Sequence, residues 1–484
     1  MAKISELHKL LAGKEISSRE LTEKYIEAIE RDNEALGAYV HLSFDEALSA
    51  ADAVDAKIAA GEEIHPLAGI PMTLKDNMST KGIETTCCSK ILSGYKPIYD
   101  ATVWTSLKEK GAVLLGKTNM DEFAMGSSCE TSCYGAAKNP RNTKFVAGGS
   151  SGGGASAVGG NLAVYALGSD TGGSIRQPAS FCGIVGLKPT YGAVSRFGLV
   201  AYASSLDQIG PMTTSVEDAA LVFDNIAGFD KMDSTSNPEY KANTFANLNN
   251  DINGKTIGVA KEYLEGLRPE VLKATEEALR TFESLGAKIV YFDMPALKFA
   301  LPVYYILACA EASSNLGRYD GIRYGYKAEV YESVHDMVCK TRSEGFGDEV
   351  KRRILLGTYV LSAGYYDAHY KKAQNLRGAI VAAFNKAFEC CDVMLAPVAP
   401  HTAFELGKAI SDPIETYQSD ICTVPVNIAG LPAVSLPCGV TDEGMPIGMQ
   451  LIGNKFTEST ILNFAYKFEQ ATNLMKSADW GVKL

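Results

Sequence analysis

Gly148-Gly149-Ser150-Ser151-Gly152-Gly153-Gly154, followed by Gly168-Ser169-Asp170-Thr171-Gly172-Gly173-Ser174-Ile175-Arg176, decides how this chain is read. Tracts of glycine and serine usually make flexible linkers. Here apolar segments at 162–167 and 182–187 interrupt the region 146–198. Segments of that kind bury, so the region reads as packed structure. The first reads as a strand ending near Leu167, and Ile175 onward as the start of a helix. Between them the glycines permit positive φ and a close approach of backbone to ligand. Ser174 then sits near a helix N-terminus. The N–H groups of Thr171, Gly172, Gly173 and Ser174 are available there to hold an oxyanion.

A serine hydroxyl is a poor nucleophile until a base takes its proton. The chain has six histidines (His8, His41, His65, His335, His369 and His401), and none lies in the Gly/Ser-rich stretches. A lysine serves as base when burial lowers its pKa toward neutral. Lys75, in Gly69-Ile70-Pro71-Met72-Thr73-Leu74-Lys75-Asp76, ends an apolar strand predicted over 70–74. Ser150, held among glycines, is the candidate relay between Lys75 and Ser174.

Outward from these stretches, residues 4–60 read as helices. Ser17-Ser18-Arg19-Glu20 is a capping box ahead of Leu21, Tyr25, Ile26 and Ile29 at helical spacing. A helix is predicted at 103–110 and a short strand at 112–115. Strands follow at 257–260 and 288–292 around a helix at 268–285. A mostly helical stretch, 303–390, precedes strands at 393–397, 433–437 and 447–452. Residues 230–254, rich in Asn, Ser and Asp, read as a surface insertion. Strands alternating with helices predict an α/β fold.

Gly111-Ala112-Val113-Leu114-Leu115-Gly116-Lys117-Thr118 matches the phosphate-binding pattern GxxxxGK[ST] letter for letter. That pattern needs a strand before the first glycine and a loop of exposed N–H groups after it. Here the apolar interval is itself the strand, and the charged Lys108-Glu109-Lys110 precedes it. A nucleotide-binding switch is therefore disfavoured.

The chain has 484 residues, a net charge of −11 (46 Lys+Arg against 57 Asp+Glu) and 46% hydrophobic content. That charge argues against a protein that grips nucleic acid alone. The eleven cysteines include vicinal pairs and no CxxC, so they read as reduced core thiols and not as a metal site. The N-terminal segment has no apolar signal region, and no continuous run of about 18 apolar residues occurs, which reads as cytoplasmic, or an organelle matrix after import, with no membrane contact.

The ordered set of Lys75 with Asp76-Asn77, the Gly-Gly-Ser-Ser-Gly-Gly stretch, the Ser174 stretch and Cys182-Gly183 with Gly186-Leu187-Lys188-Pro189-Thr190 resembles the signature of the amidase signature family. The resemblance implies a single α/β domain with a large mixed sheet flanked by helices on both faces. It implies hydrolysis by a Ser–Ser–Lys triad in which the first serine of the pair, Ser150, follows a cis peptide. Along 1–484 it divides the chain into N-terminal helices (1–60), a signature core (61–215), a mostly helical region (216–390) and return strands with a helix (391–484).

Asp121-Glu122-Phe123-Ala124-Met125-Gly126-Ser127-Ser128, Glu311-Ala312-Ser313-Ser314-Asn315-Leu316, Gly345-Phe346-Gly347 and Glu349-Val350-Lys351-Arg352-Arg353 are similar to one branch, the A subunits of aspartyl/glutamyl-tRNA amidotransferases. Gly154 departs from that branch, which usually has serine there. The branch implies a glutaminase that works with subunits B and C in a heterotrimer and meets tRNA only through its partner. ATP and Mg act in the partner, and no cofactor or metal in this chain. Glutamine carries a carboxylate and an ammonium. Arg353, with Arg352 as second choice, is expected to meet the first, and Asp420 the second. Tyr304 or Tyr305 and Ser128 complete the expected pocket. A free-standing amidase for another carboxamide would use the same triad, and intact Lys75, Ser150 and Ser174 speak against an inactive scaffold.

Overall fold

Three apolar runs next to glycine-rich turns make the centre of one half of the sheet. They are β2 (Pro71–Lys75), β3 (Val113–Thr118) and β4 (Tyr165–Asp170), every residue of which is buried in the computed structural model, which describes residues 3–408, 417–472 and 474. Strands buried on both faces read as near-continuous apolar runs and suit parallel pairing. β2 indeed pairs parallel with β3 on one side and β4 on the other. Lys75 closes β2 and pairs with Thr118, so its side chain emerges at the C-terminal end of the strand.

The remaining strands are β1 (Tyr39–Leu42), β5 (Val185–Lys188), β6 (Gln208–Thr213), β7 (Thr256–Ala260), β8 (Lys288–Phe292), β9 (Val393–Pro397), β10 (Ala433–Val440) and β11 (Pro446–Ile452). Together they form one mixed eleven-stranded sheet in the order β1-β3-β2-β4-β6-β5-β10-β11-β9-β7-β8. Successive side chains of a strand point to opposite faces. In β9, Val393 and Leu395 enter one apolar cluster while Met394 and Ala396 enter another. Both faces are therefore covered, and the α/β expectation holds.

Three strands escape the sequence reading: β1, β6 and β5, of whose stretch 182–187 the sequence says only that it is apolar and packs. The stretch 4–60 is not helical throughout, because β1 lies between helices Ser18–Leu36 and Phe44–Ala59. Gly37, at φ +61°, ends the first helix in the left-handed region. Four residues are too few to display a strand period, and β1 holds only by antiparallel pairing with β3. β6 carries a glycine and a proline, and antiparallel pairing with β4 and β5 secures it. The capping box forms as read: Ser17 N–H donates to Glu20 Oε2 at 2.8 Å and Glu20 N–H to Ser17 Oγ at 3.0 Å.

The phosphate-loop lookalike is a strand. Val113, Leu114 and Leu115 belong to β3, and Lys117 is fully buried, donating to Met78 O and Thr85 Oγ1 at 2.7 Å each. The stretch 230–254 is mostly turns. Tyr240 pins it by donating to Glu458 Oε2 at 2.9 Å, and Asp233 pins it by accepting from Arg196 N–H at 2.8 Å. The helical run Pro295–Arg318 has the length and hydropathy to cross a membrane, yet half of its apolar window is buried inside the protein. Tyr304, Leu307, Ala308 and Ala312 spend that apolar face on the second cluster.

Candidate active site

Lys75 is 1% exposed, and the peptide between Gly149 and Ser150 is cis, as the resemblance implies. The Lys75 ammonium donates to Ser150 Oγ at 2.7 Å, to Ser151 Oγ at 2.8 Å and to Ser169 O at 3.3 Å. Burial pushes its pKa down to about 8, against the pull of Asp121 and more distant acids. A lysine so placed is neutral in a useful fraction of molecules near neutral pH. The two serines differ. Ser151 Oγ donates to Ser169 O at 3.1 Å and accepts from Ser169 N–H at 3.3 Å, so main chain engages it on both sides. Ser150 Oγ hydrogen-bonds only to Lys75 among the described residues, which leaves its own proton free to move. Ser151 N–H donates to Ser174 O at 3.1 Å and ties the two loops together. Ser174 itself is 7% exposed, while both serines of the pair are at 0%.

The turn that carries Ser174 is built on a buried ion pair. Arg176 Nε and Nη2 donate to the two Asp170 oxygens at 3.0 and 3.1 Å. The same guanidinium reaches Gln450 Oε1 at 2.7 Å, Thr423 O at 3.1 Å and Asn427 Oδ1 at 2.5 Å. Burial works to raise the Asp170 pKa, but Arg176 overrides it and holds the carboxylate at about 2. A buried pair is tolerable when its donors find acceptors, and here each nitrogen of the guanidinium has at least one. Asp170 Oδ1 also accepts from Gly173 N–H at 2.9 Å. This corrects the four-donor expectation for the oxyanion: the Gly173 N–H is committed to holding the turn. Those of Thr171, Gly172 and Ser174 donate to nothing among the described residues. Gly173 must be glycine, at φ +137° with a Cβ that would lie 2.2 Å from Thr423 Oγ1. A Cβ on Gly172 would lie 2.7 Å from the Tyr304 hydroxyl, which places Tyr304 directly against the turn.

Arg353 and Asp420 come from segments far apart in sequence and meet around Tyr305. Arg353, 4% exposed, lies on helix Asp348–Leu361. Its guanidinium carbon sits 5.6, 5.2 and 5.5 Å from the ring centres of Tyr202, Tyr305 and Tyr417. Nε donates to Glu349 Oε1 at 2.7 Å and Nη1 to the Tyr202 hydroxyl at 2.6 Å, leaving Nη2 unbonded among the described residues. Asp420 accepts from Ser127 Oγ at 2.7 Å and from the Tyr305 hydroxyl at 3.4 Å. Burial pushes its carboxyl up to about 7.

The other expected residues fall as follows. Arg352 is half exposed; it pairs with Glu349 and also interacts with the Tyr417 hydroxyl, so it stands at the edge of the same cluster. Ser127, one position before Ser128, is the serine on Asp420. The Ser128 backbone N lies beside Gly149 instead, 2.8 Å from where a Cβ on that glycine would be. Tyr202, Tyr417, Glu349 and Thr423 were not anticipated. Their signals in the sequence are weak, because an aromatic or acid without a motif looks like core or surface. All eleven cysteines are free, and among the described residues no group of three or more His, Cys, Asp or Glu is placed to hold a metal.

Residues 20–462 match the family model described as amidase. The chain is 54% identical over 479 residues to the A subunit of glutamyl-tRNA(Gln) amidotransferase from Heliobacterium modesticaldum, covering 99% of this chain and 98% of the relative. It is equally 54% identical to the protein of that name from a Cyanothece species, over 477 residues, covering 98% of each. Among solved structures, the A subunit of glutamyl-tRNA(Gln) amidotransferase from Thermotoga maritima superposes with a TM-score of 0.80 at 40% identity, covering 97% of this chain and 94% of that one. A bacterial aryl acylamidase superposes with a TM-score of 0.87 at 26% identity, covering 100% of this chain and 99% of that one. With the lysine, the serine pair and the glycine turn in the order the signature demands, the chain belongs to the amidase signature family.

Proposed function

We propose that this chain is the amidase subunit of a tRNA-dependent amidotransferase, which hydrolyses glutamine at Ser174 and passes the ammonia to a partner. One observation carries the substrate assignment. A cation, Arg353, and an acid, Asp420, flank one tyrosine pair whose other member, Tyr304, abuts Gly172 of the nucleophile turn. A free amino acid presents the complementary carboxylate and ammonium, and a planar guanidinium suits a carboxylate. A simple amide would have no use for either group.

In this reading neutral Lys75 takes a proton from Ser150. Ser150 takes the proton of Ser174 as Ser174 Oγ attacks the side-chain carboxamide carbon. The oxyanion is held by the N–H groups of Thr171, Gly172 and Ser174. Lys75 then returns its proton through Ser150 to the leaving nitrogen, the C–N bond breaks, and ammonia departs. A glutamyl ester remains on Ser174, and water attacks it with the same base to release glutamate.

Subunits B and C complete the proposed cytoplasmic heterotrimer. Activation of Glu-tRNA by ATP and Mg belongs to the partner, and the net charge of −11 fits a chain that leaves tRNA to it. The test is glutamine hydrolysis by the chain alone and by the co-expressed three-subunit complex, with and without Glu-tRNA and ATP. Low activity alone that rises in the complex is expected. Full activity alone, with no copurifying partner, would assign a free-standing amidase instead.

A further inference from the structure

Glu122 is 3% exposed, on the short turn Glu122–Ala124, and the proposed chemistry makes no use of it. Its carboxylate accepts from Ser89 Oγ and, through both oxygens, from Gly347 N–H at 3.1 and 2.9 Å. Gly347 immediately precedes helix Asp348–Leu361 and has no side chain with which to cap it. The first N–H groups of a helix lack partners within the helix, and a negative charge there is favoured. Glu122 therefore serves as the cap, from 225 residues away in the chain.

The fit around this cap is close. A Cβ on Gly347 would lie 2.3 Å from Glu122 Oε2, and one on Gly345 would lie 2.5 Å from Ile91 Cδ1. Between the two glycines, Phe346 sets its ring edge-on to Phe123 at 5.7 Å. Gly345-Phe346-Gly347 is thus seated as a unit on the 122–123 turn. The helix that starts there carries Glu349 and Arg353, and Glu349 Oε1 accepts from both Arg353 Nε and the Tyr417 hydroxyl at 2.7 Å. The residue before Glu122 faces the other way. Asp121 N–H donates to Ser150 O at 3.2 Å, and its carboxylate accepts from Cys129 N–H and Thr131 Oγ1 at 2.9 Å each.

We infer that Glu122 is a positioning residue for amino-acid recognition: it fixes the start of helix Asp348–Leu361, and so the place of Arg353, against the turn that also holds the Ser150 loop. Two adjacent acids then lock the recognition half to the reacting half. Asp121 fixes where the bond is cut, and Glu122 fixes where the substrate's carboxylate is held. This rests on the glutamine reading above.

The experiment uses the three-subunit complex and measures kcat and KM for glutamine in Glu122→Ala, Glu122→Gln, Gly347→Ala, Arg353→Ala and the double variant Glu122→Ala/Arg353→Ala. Glu122→Ala is expected to raise KM about tenfold with kcat within about twofold, the signature of lost binding without lost chemistry. Glu122→Gln, which keeps an acceptor for the Gly347 N–H, should recover most of the loss. Gly347→Ala, which pushes the same carboxylate aside, should reproduce it and decides the matter if Glu122→Ala does not fold. Glu122→Ala should add nothing to Arg353→Ala, because one acts through the other. Additive effects, or a fall in kcat at constant KM in Glu122→Ala and Gly347→Ala, would overturn the inference. An unchanged KM in Arg353→Ala would instead overturn the glutamine reading itself.

Discussion

The reacting half and the recognition half of this site are built by different means. Lys75, Ser150 and Ser174 stand on the end of β2 and on two glycine-rich turns, where main chain and small side chains do nearly all the fixing. Arg353, Asp420, Tyr304 and Tyr305 stand on helices and a loop drawn from 300–430, where ring packing and long side chains do it. The first kind of construction tolerates almost no change, because a Cβ at Gly172 or Gly173 meets another residue within 3 Å. The second kind can be re-cut to suit another substrate without disturbing the first. Solved relatives of this fold that include an aryl acylamidase fit such a division.

The sharpest way to break the comparison is at the nucleophile. Ser174→Ala should abolish turnover, with a loss of about 10⁴–10⁶-fold in kcat, the range for removing a triad nucleophile. Thermal unfolding should stay close to wild type, since the hydroxyl lost makes no hydrogen bond among the described residues. Retained turnover would mean that another group forms the ester.

Next comes the base and the choice between its two serines. Lys75→Ala should lower kcat about 10²–10⁴-fold. Ser150→Ala should cost kcat by a comparable or somewhat smaller factor, because water can enter as relay. Ser151→Ala should act more through stability, as its hydroxyl serves Ser169 main chain. Equal kcat losses in both serine variants, with equal melting temperatures, would remove the distinction drawn between them.

In the recognition half the expected losses move from kcat to KM. Arg353→Ala should raise the glutamine KM about 10–100-fold, the worth of one or two charge-assisted hydrogen bonds at about 1.5–3 kcal/mol. Tyr305→Phe, which deletes only the 3.4 Å contact to Asp420, should raise it about two- to fivefold. A kcat loss without a KM change in Arg353→Ala would dissolve the division of labour.

The two halves should also part company in their pH dependence. Lys75, held down to about 8, is active as the neutral amine, so kcat should rise with pH through that region. Asp420, held up to about 7, binds an ammonium only as the carboxylate, so kcat/KM should lose an extra step below about pH 7. Asp420→Asn should remove that extra step from the kcat/KM profile and leave the rise in kcat in place.

The same contrast explains what was legible in the sequence. Lys75, Ser150 and Ser174 are nominated by local chemistry together with the ordered motifs of the family resemblance, and glycine at φ +137° leaves a mark that no other residue can imitate. The parallel strands announce themselves as unbroken apolar runs. β1 does not, because its four residues become a strand only when β3 is present to pair with. Ser127 does not stand out from Ser128 in the sequence, because which hydroxyl meets Asp420 is settled by loop geometry and leaves no periodic trace. The commitment of Gly173 N–H to Asp170 was invisible for the same reason: it depends on a side chain folding back over its own turn. Tyr202 and Tyr417, separated from Arg353 by 151 and 64 positions, acquire meaning only once the chain has brought them around its guanidinium.

The most direct measurement is the location of the acyl intermediate. The complex is mixed with glutamine, quenched with acid within one turnover, digested and mapped by mass spectrometry, for wild type, Ser174→Ala and Ser150→Ala. The account predicts a glutamyl ester on the peptide containing Ser174 in wild type, none anywhere in Ser174→Ala, and slower formation at the same place in Ser150→Ala. A glutamyl ester on the peptide carrying Ser150 and Ser151, or one that persists in Ser174→Ala, would contradict it.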